Sequence, residues 1–405
     1  IEGPIVLRGA VYEEYASGGW KAAPRSEVDV PSALAALDSL SQGGSGRIVP
    51  ISVTVEAKNV VGTVLFTPGQ PLSAGVPAQA KLARGSVREL NVILPSDGGT
   101  SLTDDEVLAL TPPGWTALYV RRAGDDRVEG VAAVRSLAGL PDVLVLSPRE
   151  RLQKGESYTV LGFVRDIPPD ELRTASTFYP DLISSTYLQL PDMPERVSQL
   201  ARDVAGAEPA PYDRAKAVES YLRRYSVDYA IPDTPPGRDT VDYFLFEAKR
   251  GYFDYHASAM VVMLRSIGVP SRLAVGFVID EQDFDRDSGS YVVQSRDAYA
   301  WVEVYFPGHG WVEFNPSPDR PAELRPGERG DEIGVPPVSL EDIRDLWLPS
   351  GGLFPEGLDG LSGGGTGSSS GGSGSGYMLW IALALPAFLA AVAGSAALGW
   401  RRSVA

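Results

Sequence analysis

The sequence predicts an α+β protein that opens β-rich, continues as a helix packed on an antiparallel sheet, and ends in a membrane-spanning helix. Three observations carry this. Residues 1–166 hold many short apolar runs separated by Pro and Gly clusters such as Thr67-Pro68-Gly69-Gln70-Pro71. Over Asp254–Ile267 the apolar residues Ala257, Met260, Val261 and Leu264 recur at helical spacing, and strand-like stretches follow. Finally, Tyr377–Trp400 is a run of 24 residues without a charge.

Taken in order, Gly3–Tyr12 and then Tyr15–Trp20 read as strand, turn and aromatic return. Further strands are expected at Arg47–Glu56, Val60–Phe66, Val87–Leu94, Ala117–Arg122, Val128–Val134, Val143–Leu146 and Ser157–Val164. Their number and spacing suit a sandwich-like domain over 1–166. From Ile167 the pattern turns helical, with helices expected at Met193–Val204 and Tyr212–Tyr225 and an apolar helical turn at Val241–Glu247. The helix over Asp254–Ile267 is ended by Gly268 and Pro270. Strands are expected at Arg272–Ile279, Tyr291–Arg296 and Tyr299–Phe306, and the turn Pro307–Gly310 leads to a last strand at Trp311–Phe314. This second domain spans 167–318. A Pro/Gly/Ser-rich linker follows over 319–376, with a flexible low-complexity end.

The chain has 405 residues, enough for two domains with sizeable cores, and its apolar content of 43% argues against general disorder. Its 52 acidic and 36 basic residues give a formal charge of −16, which with no basic stripe disfavours nucleic acid as a partner. There is no cysteine, hence no disulfide, no thiolate metal site and no thiol nucleophile. The sequence opens Ile1-Glu2-Gly3-Pro4 without an initiator methionine or signal peptide, and is expected to be a fragment of a longer protein.

Four stretches in order carry a family resemblance: Gly251-Tyr252-x-x-Tyr255-x-Ala257-Ser258-Ala259-Met260, Met263–Arg272, Ala300–Tyr305 and Gly310-Trp311-Val312. They resemble the core of bacterial transglutaminase-like proteins, in particular the membrane-anchored TgpA type. Gly3–Trp20, Leu188–Pro191 and Tyr243–Phe246 are similar to that family as well, so the resemblance runs over most of the chain. It implies a papain-like α+β core. It also implies a cysteine at the start of the central helix, a histidine before Ala-Trp and an aspartate after the Gly-Trp strand. In that triad, the helix N-terminus and the histidine lower the thiol pKa, and the aspartate orients the imidazole. The matching positions here are Phe253, Tyr299 and Asn315. Phenylalanine offers no nucleophile, and a tyrosine, with a reference pKa of about 10, is a poor base near neutral pH. The expectation is a transglutaminase-like fold without the triad chemistry.

Other candidates are weighed against ordinary roles. His256 shares a helix face with Phe253, and a packed structural histidine is the expected reading. It lies about 200° around the helix from Ser258, too far to activate that hydroxyl. Asp254 and Ser258 are four apart and within reach of each other, but make no nucleophile system without a base. His309, in the Pro-Gly-His-Gly turn, is expected to be solvated, and two such histidines give no zinc pattern. Asp283, Asp285 and Asp287 have calcium-loop spacing, but Gly289 comes one place late and Gln294 replaces the bidentate glutamate. A solvated hairpin loop is the expectation, with no metal and no cofactor. On a strand, Tyr299, Trp301 and Glu303 share a face. Aromatic bulk from Phe253, Tyr299 and Trp301 then fills the cleft, or else leaves a peptide-binding groove lined by Asp254, His256, Trp301 and Glu303.

Tyr377–Trp400 exceeds the roughly 20 residues that cross a bilayer, and Tyr377, Trp380 and Trp400 sit near its ends. Arg401-Arg402 follows directly, so 401–405 is expected to start a cytoplasmic tail, with everything before Tyr377 outside. The family resemblance implies further spans upstream. The sequence therefore reads as a cell-membrane protein, anchored in lipid through 377–400, with an extracytoplasmic, non-catalytic transglutaminase-like region that binds or scaffolds protein or envelope polymer. Two other readings stay open: an active acyltransferase or peptidase using unrecognised residues, and a purely structural ectodomain.

Overall fold

The computed structural model describes residues 4–324 except 17–18, 22–25, 30–46, 58–62, 84–86, 91, 112–115, 135–141, 232–233, 281–282 and 323. The membrane span expected at 377–400 lies outside the described residues. Among those described, no helix is long and apolar enough to cross a membrane.

One eight-stranded sheet organises the molecule. Its strands are β1 (Ile5–Tyr12), β2 (Ser26–Asp29), β3 (Thr67–Pro68), β4 (Ala78–Leu82), β5 (Val143–Pro148), β6 (Ser271–Ile279), β7 (Ala298–Phe306) and β8 (Gly310–Phe314). Their spatial order is β8-β7-β6-β1-β5-β4-β2, with β3 also paired to β1. The pairings among β8, β7, β6, β1, β5, β4 and β2 are antiparallel. The sheet thus runs across the division expected at 166/167. β1 sits in its middle, with Ile5 opposite Ile279 and Tyr12 opposite Leu273. Gly276 makes this pairing possible, because a Cβ there would lie 2.0 Å from the Leu7 carbonyl oxygen.

A sandwich does form in the first part, but one of its layers is the far half of this same sheet. Arg47–Glu56, Ser157–Asp166 and Gln70–Ala74 make a separate three-stranded sheet. Tyr158 and Val160 of that sheet share a core with Ala80, Leu82, Val143 and Leu146 of the large one. A strand was expected over Val60–Phe66, but its described part, 63–66, is irregular, and pairing begins at Thr67. Tyr291–Arg296 likewise keeps only a short pairing, Ser290–Tyr291 with Phe284–Asp285, before a 3₁₀ turn at Ser295–Asp297. Asp297 closes that turn by accepting from the Gln294 backbone N–H at 2.6 Å, which competes with continued pairing.

The central helix spans Phe253–Ser266. Gly268 ends it with φ +79°, while its N–H bonds the Arg265 carbonyl at 3.1 Å and the Val269 N–H bonds Leu264 at 2.9 Å, a Schellman closure. Burial reaches beyond the periodic residues: Ala259, Val262 and Met263 are buried along with Ala257, Met260, Val261 and Leu264. The reason is that helices enclose the side away from the sheet. Glu195–Ala205, Pro211–Leu222 and Thr240–Tyr243 all pack on it. On the sheet side it meets Leu273, Ala300, Val302 and Val304. Each large apolar side chain so buried contributes about 1.5–3 kcal/mol.

Candidate functional site

The three positions singled out by the sequence meet in space. Phe253 is the first helical residue, after the extended Tyr252, and the N-terminus of the helix carries no side-chain cap. Its ring lies 5.0 Å from that of Tyr299, tilted by 38°, and 5.4 Å from Tyr252. The Tyr299 hydroxyl is 3.1 Å from Asn315 Oδ1 and donates at 2.7 Å to Asp319 Oδ1. Asn315 is held in turn. Its Nδ2 donates to the Pro321 carbonyl at 2.7 Å, and its backbone N–H donates to Glu219 Oε1 at 2.9 Å. The amide orientation is therefore fixed by its own partners.

Electrostatically this is a donor site and not a basic one. Burial, and then the negative charge of Asp319, push the Tyr299 phenol above its ordinary pKa. It stays protonated and donates. Asp254, the next helical residue, is partly exposed as a residue, yet its Oδ1 is enclosed and has no hydrogen-bond partner. Burial raises its pKa to about 7.

The expected groove-lining residues divide. Only Asp254 is partly exposed; His256, Trp301 and Glu303 are buried. His256 places Nδ1 3.1 Å from the Tyr252 carbonyl and meets Phe244 edge-on, and burial lowers its pKa, so it is a neutral packed ring. Strand alternation puts Tyr299, Trp301 and Glu303 on the face away from the central helix. There Tyr299 and Trp301 pack with Val11, Leu144, Ala274 and Val278, and Phe253 packs against this group. Glu303 accepts from Arg272 Nε at 2.7 Å and pairs with Arg8 at 3.5 Å. Arg272 also donates to Asp142 at 2.6 Å and lies 3.7 Å over the Trp311 ring. Burial works against the Arg272 charge, but Asp142 and Glu303 outweigh it and hold its pKa above the ordinary value. Glu303 therefore secures the sheet, and Trp301 lies buried in the cluster that Leu324 completes.

Two smaller expectations are also settled by contacts. His309 is buried and not solvated. Ser258 Oγ accepts from the Trp20 indole N–H at 2.9 Å. In the acidic loop, Asp283 Oδ2 accepts from the Asp280 N–H, and the Asp285 carboxylate accepts from the Asp287 N–H and Ser288 Oγ. Arg320 pairs with Asp280, and Arg296 lies 3.7 Å from Asp283. Among the described residues, no group of His, Asp and Glu side chains is placed to hold a metal ion.

Sequence reasoning missed Asp319, Ser317, Tyr229 and Arg223. Asp319 Oδ1 also accepts from Ser317 Oγ at 2.6 Å, and its Oδ2 accepts from Tyr229 at 3.1 Å. Tyr229 stacks on Tyr252 at 5.9 Å with the rings 7° from parallel. Asp319 was assigned to the linker, yet side chains of the domain hold residues 317, 319, 320 and 321, and Leu324 is 3% exposed. The available signal was Asn315-Pro316-Ser317-Pro318, a stiff segment that keeps Asp319 close to the end of β8.

Part of the chain is similar to known proteins. A family model described as the transglutaminase-like superfamily matches residues 198–316. The uncharacterized protein YebA of Bacillus subtilis is 45% identical over 140 residues, covering 33% of this chain and 19% of that protein. Protein-glutamine gamma-glutamyltransferase of Pseudomonas aeruginosa is 30% identical over 160 residues, 38% of this chain and 24% of that protein. The chain thus spans about a fifth to a quarter of these relatives. Among solved structures, the periplasmic domain of TgpA from Pseudomonas aeruginosa superposes with a TM-score of 0.45 at 18% identity, covering 77% of this chain and 81% of that one.

Proposed function

We propose that residues 198–316, which the transglutaminase-like superfamily model matches, form a non-catalytic domain that acts by binding protein or envelope polymer. The observation that carries the reading is the contact of Phe253, Tyr299 and Asn315. These three residues, which the family resemblance matches to nucleophile, base and orienting group, lie together as a hydrocarbon ring, a protonated phenol and an amide, which supports the reading. Acyl transfer by the thiol route needs a thiolate and a group that takes its proton. Neither is present, and with no cysteine in the chain no displaced thiol substitutes. The protein, assayed for amine incorporation into glutamine substrates and for covalent adducts with electrophilic probes, is expected to give neither. Turnover that disappears on His256→Ala or Asp254→Ala would reverse the reading.

The same proposal places the domain outside the cell, tethered through 377–400. Its support is the uncharged run and the Arg401-Arg402 that follows it. Protease added to intact cells is expected to cut within 363–376 and release the domain. Cleavage confined to permeabilised cells would reverse the orientation.

A further inference from the structure

We propose that the site formed by Arg223, Tyr229, Tyr299 and Trp301 recognises an extended peptide carrying a carboxylate and, five residues on, a leucine-sized side chain, and that this chain fills the site with its own residues 317–321 and Leu324. The inference rests on the non-catalytic reading and names what the domain binds and how access is governed.

Beyond the last strand the chain runs Ser317-Pro318-Asp319-Arg320-Pro321, and the prolines favour an extended backbone. Side chains of the domain hold it. Arg223 Nη1 donates to the Asn315 carbonyl at 2.9 Å and to the Ser317 carbonyl at 2.5 Å, and its Nη2 donates to the Arg320 carbonyl at 2.9 Å. Two tyrosine hydroxyls, from Tyr229 and Tyr299, read the two oxygens of Asp319. Leu324 is buried among Val11, Leu144, Val278, Tyr299 and Trp301. One guanidinium on main-chain carbonyls, a pair of hydroxyls on a carboxylate and an apolar pocket are the components by which domains bind extended peptides.

The Tyr229 side adds a reason to regard the site as a binding surface. Tyr229 is 69% exposed, although it stacks on Tyr252 and holds Asp319. An incoming peptide therefore meets an open aromatic face beside the segment it must displace. A tethered occupant is present at an effective concentration on the order of millimolar, so a free peptide binds the unaltered chain weakly.

The test uses the whole chain and a fluorescein-labelled decapeptide with the sequence of residues 315–324, read by anisotropy. The unaltered protein is compared with the double variant Asp319→Ala/Leu324→Ala, whose own segment has lost both anchors. The expected result is affinity at least tenfold tighter for the double variant. It should fall at least tenfold again when the peptide carries alanine in place of its Asp or its Leu. A folded double variant that binds no better than the unaltered chain, or that ignores the peptide substitutions, overturns the proposal. Should the double variant unfold, Asp319→Asn, at an exposed position, is read by the same criteria. Acyl-transfer activity in the unaltered protein would defeat the non-catalytic reading and leave this comparison standing. Equal peptide affinities without activity would defeat only the self-occupied site.

Discussion

Restoring the three residues tests whether the site geometry is intact beneath its aromatic filling. Phe253→Cys places a thiol at the start of a 14-residue helix, where the dipole favours thiolate. The reaction rate at neutral pH is a poor reporter. Lowering a thiol pKa from about 8.5 to about 6.5 raises the thiolate fraction at pH 7 roughly 25-fold, but the weaker nucleophilicity returns about eightfold of that. A net gain of only about threefold remains, so the midpoint of the iodoacetamide rate against pH must be read instead. Phe253→Cys alone should leave that midpoint within about one unit of the free value of about 8.5. Adding Tyr299→His should move it furthest, because Asp319 Oδ1, 2.7 Å from the present hydroxyl, stands ready to favour an imidazolium. Asn315→Asp should add less, since a second carboxylate beside Asp319 repels the first. Phe253 is only partly exposed and its ring meets two others, so its removal should cost about 1–3 kcal/mol, short of the 3–5 typical of a fully buried phenylalanine. All three folded variants titrating at one unshifted value would show that these positions do not act on one another, and the site reading would fall.

Other consequences can be checked independently. Arg272→Met strands Asp142 and Glu303 in the sheet and should lower stability by about 3–5 kcal/mol in urea titration; a loss below about 1 kcal/mol would contradict the buried ion cluster. Asp254 has a folded pKa near 7 against an ordinary 3.8, so the folded state holds the extra proton between those values. Stability should therefore fall as pH rises from about 4 to about 7 and level off above. Asp254→Asn should flatten that slope and gain about 1–3 kcal/mol at pH 8, discounted for partial exposure, and an unchanged pH profile would refute the raised pKa. Tyr299→Phe removes the hydroxyl contacts with Asn315 and Asp319 and should cost about 1–3 kcal/mol, with faster amide exchange at Ser317 and Asp319; unchanged exchange there would mean the hydroxyl does not hold the segment.

The central helix and its flanking strands were legible because their signals are local. Period, Gly268 and the Pro-Gly-His-Gly turn each act over a few residues, and helix and strand ends fell within a residue or so of expectation. What escaped was set by distant pairing. Ile5–Tyr12 reads as a strand, but nothing near it says that its neighbour is Ser271–Ile279. Alternation correctly grouped Tyr299, Trp301 and Glu303, yet could not reveal that their face is sealed by Val11, Leu144 and the Arg8–Arg272 cluster. Asp319 was lost for a related reason. Proline-rich composition reads as linker whether the chain leaves the domain or lies down upon it.

The placement of β1 bears on how this protein comes to be folded. Its partner residues on β6 lie between 261 and 274 positions later in the chain, as Tyr12 with Leu273 and Ile5 with Ile279 show. Until Ser271–Ile279 emerges, one edge of β1 has no hydrogen-bond partner. Such long-range closure makes assembly slow and leaves intermediates prone to pairing with other chains. A chain cut near residue 167 would repeat the problem permanently, baring β6 along the edge that β1 covers. The minimal folding unit is therefore set by the first strand, and attempts to isolate residues 167–324 without β1 should yield aggregate, while a chain that keeps residues 5–12 should fold.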